Sequence, residues 1–144
     1  MKTISIVPIL LLILVIGVAK ADQFDPRAFL GMTAGVSVDA AISRGKKDNK
    51  KVLVLALDSK KNNQSFHIKG MLEFEETKQL IRDRFLLVIT DFKNKNIRDL
   101  IGEDGMDRPM YFLFNTDGKL IQKGTTAMGG AAGAALVKTW AGIK

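Results

Sequence analysis

Beyond residue 36 the chain alternates short apolar runs with charged stretches, and the spacing of the apolar positions predicts an element for each. Ser37 is a helix-capping residue type, and Val38, Ala41 and Ile42 fall on one helical face before the pattern dissolves into the charged stretch 44–51. Residues 52–57 form an unbroken apolar run, Val-Leu-Val-Leu-Ala-Leu. It is too short for a typical helix and reads as a strand buried on both faces. A polar loop, 58–64, follows. Phe66, Met71, Phe74, Leu80 and Ile81 then recur at loose helical spacing with Gly70 as a break, which predicts one kinked helix or two short ones up to Arg84. Residues 85–89 are a second apolar run. Strand, helix, strand is the right-handed crossover unit of an α/β sheet, with 52–57 and 85–89 as its central parallel strands.

After Asp91 a basic and polar linker leads to a short helix near 97–101. Asp117-Gly118 separates two strand-like runs, 110–114 and 119–122, and predicts a tight antiparallel hairpin. The last segment, 127–140, is alanine-rich, with Leu136, Val137 and Trp140 spaced for one buried helical face. Gly129, Gly130 and Gly133 weaken it, by up to about 1 kcal/mol each relative to alanine inside a helix.

The N-terminal quarter reads differently. Lys2 supplies a positive charge, 4–18 is an uncharged and largely apolar run, and Ala19-Lys20-Ala21 closes it. This is the order of a secretory signal with an A-x-A cleavage site, so 1–21 is expected to be removed and the protein to be periplasmic or secreted. The competing reading is an uncleaved membrane anchor, which needs about 20 apolar residues; Pro8 and the small residues at the cleavage site favour removal. Residues 22–36, interrupted by Pro26, Gly31 and Gly35, read as an arm leading into a domain over 37–144.

Composition narrows the chemistry. The chain has no cysteine, so it has no thiolate nucleophile, no disulfide and no cysteine-ligated metal, and a secreted domain of this size must be held by packing alone. Its formal net charge is +7, with Lys2 and Lys20 inside the signal. Asp22, Asp25, Glu73, Glu75 and Glu76 do not fall into a calcium-loop or zinc-ligand spacing, so no metal or other cofactor is expected. The basic run Arg44, Lys46, Lys47, Lys50 and Lys51 lacks interleaved aromatics, and export argues against a nucleic-acid partner. It reads as a solvated helix end and linker.

The order β-α-β, then α, then a proline-led hairpin and a terminal helix resembles the thioredoxin fold over about 38–140. Its most specific marks are the strand 52–57 with its polar loop, the strand ending in Asp91, and Arg108-Pro109 directly before the hairpin. The resemblance implies an α/β, three-layer sandwich with a central mixed sheet flanked by helices. It also implies a cis peptide bond between Arg108 and Pro109, with that proline facing the redox motif. An ungapped comparison puts the Cys-x-x-Cys of exported thioredoxin-like domains on Lys60-Lys61-Asn62-Asn63. A later register would put it on Ser65-Phe66-His67-Ile68; the earlier one is preferred because the reactive pair sits where the loop enters the helix. Both cysteines are absent in either register, so only the scaffold carries over.

Lys60 and Lys61 would lie near the N-terminus of the second helix, where free N–H groups and the helix dipole favour an anion, and Arg108 would approach from the proline loop. The face made of Lys60, Lys61, Asn62, Asn63, Arg108 and Pro109 is therefore the expected binding site for another exported or envelope protein or peptide, acidic at its point of contact. A merely solvated lysine-rich loop is the alternative. A membrane contact is expected only if the signal stays uncleaved. A non-thiol enzyme using the same cleft would draw on the sole histidine, His67, yet no cysteine nucleophile or serine–acid pair is evident around it. If 1–21 is a signal, the intact mass of exported protein will correspond to a chain beginning at Asp22; a mass that retains Met1 would contradict it.

Overall fold

The computed structural model describes residues 37–102 and 107–144. The signal and the arm assigned to 1–36 lie outside the described residues. Ser37 caps the first helix, α1 (Val38–Asp48), by accepting a hydrogen bond at Oγ from the Ala40 N–H, 3.2 Å. The helix runs on into the charged stretch as far as Asp48, beyond the last of its apolar positions. Lys46 and Lys47 in its last turn complement the helix dipole, and Asn49, in the left-handed conformation, ends it. Strand β1 (Lys51–Leu57) follows at once, its apolar residues buried as expected.

The polar loop is shorter than the sequence suggested, because α2 (Asn62–Met71) begins three residues before 65, and α3 (Glu75–Arg84) is a separate helix. Gly70 falls in the last turn of α2 rather than at a kink. Helix α3 passes into β2 (Phe85–Asp91) with no intervening residue, and α4 (Lys95–Ile101) follows. Strands β3 (Met110–Phe114) and β4 (Leu120–Thr125) form the hairpin, and α5 (Gly130–Ala141) closes the domain. The hairpin turn is wider than a two-residue type I′ turn, which needs positive φ at both central residues. Only Gly118, φ 78°, is left-handed there, and Asn115 Oδ1 accepts from the N–H groups of Asp117 and Lys119. Gly129 is the N-cap of α5 and Gly130 its first residue, so only Gly133 carries the cost of a glycine in the helix interior.

The four described strands are ordered β2-β1-β3-β4, with β1 parallel to β2 and antiparallel to β3. The sheet is thus mixed, with helices on both faces. Strand β2 was expected at the centre; it lies at one edge of the described strands, and its C-terminal residues are only half-buried. Pleating sends alternate residues of β1 into two separate cores. Leu53 and Leu55 join Ile68, Met71, Ile81, Tyr111, Leu113 and Trp140 under α2, α3 and α5. Val52, Val54 and Ala56 join Val38, Ala41, Ile97, Met110 and Phe112 under α1 and α4. Trp140, fully buried, meets the ring of Tyr111 at 4.6 Å between centroids and 52° between planes.

Helix α5 packs on α2 at Gly133, where an added Cβ would collide with the Met71 carbonyl. Gly133→Ala removes a helix-weakening glycine worth about 1 kcal/mol, yet backbone contact prevents easy accommodation. The variant is expected to lose about 1–3 kcal/mol net in urea unfolding, the usual cost of overpacking. Unchanged or increased stability would mean that the two helices can separate freely.

Candidate functional site

The expected site is assembled by strand pairing. Leu57, the last residue of β1, is in register with Asp91, the last of β2, and Ala56 is in register with Met110, the first of β3. The loop after β1, the turn after β2 and the Arg108-Pro109 segment therefore come to one end of the sheet. Thr126, just beyond β4, reaches the same end, donating from its N–H (2.9 Å) and Oγ (3.2 Å) to the Pro109 carbonyl.

Asp58 organises the loop. Its Oδ1 accepts from the Lys60 N–H at 3.0 Å, an Asx turn, and its carbonyl accepts from the Lys61 N–H at 3.0 Å. Its own N–H donates to Oε1 of fully buried Gln64 at 2.7 Å, which locks the loop to the first turn of α2. Asp91 joins the two strand ends. Its Oδ2 accepts from the Ser59 N–H (3.0 Å) and hydroxyl (2.6 Å), and its Oδ1 accepts from the Lys93 N–H at 2.9 Å. Partial burial pushes the Asp91 carboxyl up, but the Ser59 hydroxyl and the backbone N–H groups of Lys93 and Ser59 outweigh that, and the net shift is downward.

Lys61 is the N-cap of α2 and makes no side-chain capping bond, so Lys60-Lys61-Asn62-Asn63 straddles the junction of loop and helix. All four are exposed, and their side chains make no hydrogen bond or ion pair among the described residues. The alternative quartet sits inside α2, with Ser65 and Ile68 packed into the protein. Arg108 is exposed and Pro109 buried. The bond between them is trans, contrary to the expected cis form, since the described chain contains no cis peptide. Trans is the lower-energy isomer of such a bond by about 0.5–1 kcal/mol. His67 is half-buried, and its Nδ1 is enclosed with no hydrogen-bond partner.

Ser59 and Gln64 were not singled out from the sequence, and Asp91 only as the end of a strand, although all three hold the site together. An aspartate within two residues of the end of each apolar run was the available signal: both Asp58 and Asp91 sit at strand ends, where short acceptors close turns.

No protein-family model matches the chain, and no curated protein matches it by sequence. Among solved structures it is similar to DsbH oxidoreductase, with 20% identity, a TM-score of 0.60, and coverage of 76% of this chain and 85% of that one. It is also similar to the C-terminal domain of Neisseria meningitidis DsbD in the oxidised form, at 14% identity and a TM-score of 0.51 over 74% of this chain and 98% of that one.

Asp91→Ala is expected to cost about 1–2 kcal/mol at pH 7, because it strands three donors at the strand ends. The folded-state pKa of Asp91 is depressed, so its contribution is present above the ordinary aspartate range near pH 4 and fades as pH falls through the folded value. Denaturant unfolding of both proteins should therefore show a stability gap that is constant from about pH 5 to 8 and narrows in stronger acid. A gap independent of pH would show that the carboxylate charge is not involved. The strand order, the helices on both faces and the likeness to these structures give the chain a thioredoxin-like fold that has no cysteine at the position of the redox motif.

Proposed function

We propose that this chain is an exported, redox-inactive thioredoxin-like domain that binds a protein or peptide through the end of the sheet carrying Lys60, Lys61, Asn62, Asn63, Arg108 and Pro109. The observation that carries the reading is the contrast within that end: the backbone of the loop is fixed by Asp58, Gln64 and Asp91, while the side chains it presents are exposed and uncommitted. A loop that is rigid in its backbone loses little entropy when its side chains are engaged. Disulfide exchange requires thiolate attack and a mixed-disulfide intermediate, and a chain without cysteine can form neither. What the fold offers at this end is recognition, and its exposed cations suit an acidic segment of another exported or envelope protein. Export rests on the order of charge, apolar run and small-residue site in 1–21.

The test is proximity crosslinking in the native organism with the parent chain and with a variant carrying Lys60→Glu, Lys61→Glu and Arg108→Glu. Capture of the principal partner should fall at least about tenfold, the scale of losing a charge-assisted contact. Stability should change by only about 0.5 kcal/mol, as for most surface substitutions. Undiminished capture by the folded triple variant would reject this end as the binding face.

A further inference from the structure

The opposite end of the sheet holds a second concentration of polar groups. Strands β1 and β2 start side by side, with Lys51 in register with Phe85. Where the α1–β1 turn, the α3–β2 junction, the hairpin turn and the end of α5 converge there is a cavity of about 190 Å³, lined by the polar residues Asn49, Lys50, Lys51, Arg84 and Thr116 and by the apolar Phe85 and Ala141. The length of β1, at about 3.3 Å per residue, separates this cavity from the loop of Lys60 and Lys61 by about 20 Å.

The backbone fixes the cations there. Asn49 takes the left-handed conformation, φ 53° and ψ 43°, and the Lys50 N–H donates to the Gly45 carbonyl at 2.9 Å. An added Cβ at Gly45 would lie 2.7 Å from the Lys50 carbonyl oxygen and 2.8 Å from Val52 Cγ2, so the turn is drawn tightly onto β1. Arg84 is the last residue of α3 and adjoins Phe85, the first of β2. Lys51 Nζ donates to the Trp140 carbonyl at 3.2 Å and ties the end of α5 to the same place.

Three helices, α1, α3 and α5, direct their C-termini toward this end, and basic residues there serve partly to complement the dipoles. Each terminus carries only about half a negative charge: Lys46 and Lys47 offset that of α1, Lys51 and Lys138 that of α5, and Arg82 with Arg84 exceeds that of α3. Of the acids on the elements that meet here, Asp48 pairs with Arg44 at 3.1 Å and Asp83 accepts from the Gln79 side-chain amide at 2.8 Å, while Asp117 follows Thr116 in the hairpin turn. Lys50 and Arg84 remain without an ion pair among the described residues, and no carboxylate lines the cavity.

We propose that this cavity binds a phosphate-bearing anion. Its cations call for a ligand of more than one negative charge. Arg84 supplies the planar fork that matches phosphate oxygens, the lysines act as point charges, and the Asn49 amide and Thr116 hydroxyl add neutral donors. The volume suits a phosphate with a short attached group and falls below the roughly 300 Å³ at which drug-sized pockets begin. The phosphate can come from a small soluble ester or from a lipid headgroup.

The experiment uses the full chain. Amide shifts are followed by NMR as pyrophosphate is added, and sedimentation is measured with vesicles of phosphatidylcholine alone or mixed with phosphatidylglycerol. Saturable shifts centred on Asn49, Lys50, Lys51, Arg84 and Thr116 are expected. Lys50→Gln with Arg84→Gln should weaken pyrophosphate binding about tenfold or more. Lys95→Gln with Arg98→Gln, the same charge change on exposed positions of α4, should weaken it less than about twofold, as remote surface charges are screened by salt. Phosphatidylglycerol-dependent sedimentation that the first variant loses identifies a lipid headgroup as the source, and pyrophosphate binding without it identifies a soluble one. The absence of saturable shifts, shifts centred elsewhere, or equal losses in the two variants would overturn the proposal. If the first variant does not fold, the shift map of the parent chain decides alone.

Discussion

Strand β1 buries both of its faces, and that requirement determines much of the rest. A strand exposed on neither side must be flanked by other strands and covered above and below by helices. Here β2 and β3 flank it, α2, α3 and α5 cover one face, and α1 and α4 cover the other. Each fully buried leucine or valine of β1 is worth about 1.5–3 kcal/mol relative to exposure, so the strand is a large share of the driving force in a domain that has no disulfide. Because β1 runs from one end of the sheet to the other, it also fixes where the two polar ends stand: one follows Leu57, the other precedes Val52.

The exposed groups at the Leu57 end can be held in place only because the polar backbone there is satisfied internally. Asp58 closes its own turn, Gln64 is buried to bond it, and Asp91 joins the loop to the neighbouring strand. Without Gln64 the part-buried Asp58 N–H would lose its acceptor, and without Asp58 and Asp91 the loop would lose the bonds that set its turn. The loop, which contains no cysteine, is held by hydrogen bonds that have no part in redox chemistry.

Much of the fold could be read from the sequence because burial leaves a direct trace in residue type. The runs 52–57 and 85–89, the Ser37 cap and the apolar face of the last helix each gave the right element. Strand order left no such trace. Periodicity reports how deeply a strand is buried but not which neighbours it has, and β2 at the edge reads nearly as apolar as β1 at the centre. The end of α1 was missed because Lys46 and Lys47 suit a helix C-terminus as well as a linker, and the stop signal was the backbone of Asn49. Apolar periodicity did not show the start of α2, because Lys61 is an untypical cap and Gln64, polar in sequence, is buried for the sake of one hydrogen bond; the resemblance placed it at Lys60 and Lys61, where it is. The cis proline was an expectation of resemblance with no local physical cause. Of the site, the loop and the proline segment were legible through topology. Ser59 and Asp91 were not, since their role depends on which strands end together.

The double burial of β1 has a further consequence before folding is complete. Its antiparallel partner β3 lies more than fifty residues later in the chain, so the run 52–57 must wait for distant sequence before it is covered. An uncharged, β-branched and leucine-rich stretch without proline is the kind that stacks with copies of itself when exposed. Lys50 and Lys51 stand immediately before its apolar core and Lys60 and Lys61 shortly after. In an in-register stack these lysines would bring like charges into ladders on both flanks of the run. They are placed as gatekeepers, opposing self-association of the unfolded chain at the one segment whose aggregation would most directly prevent the fold.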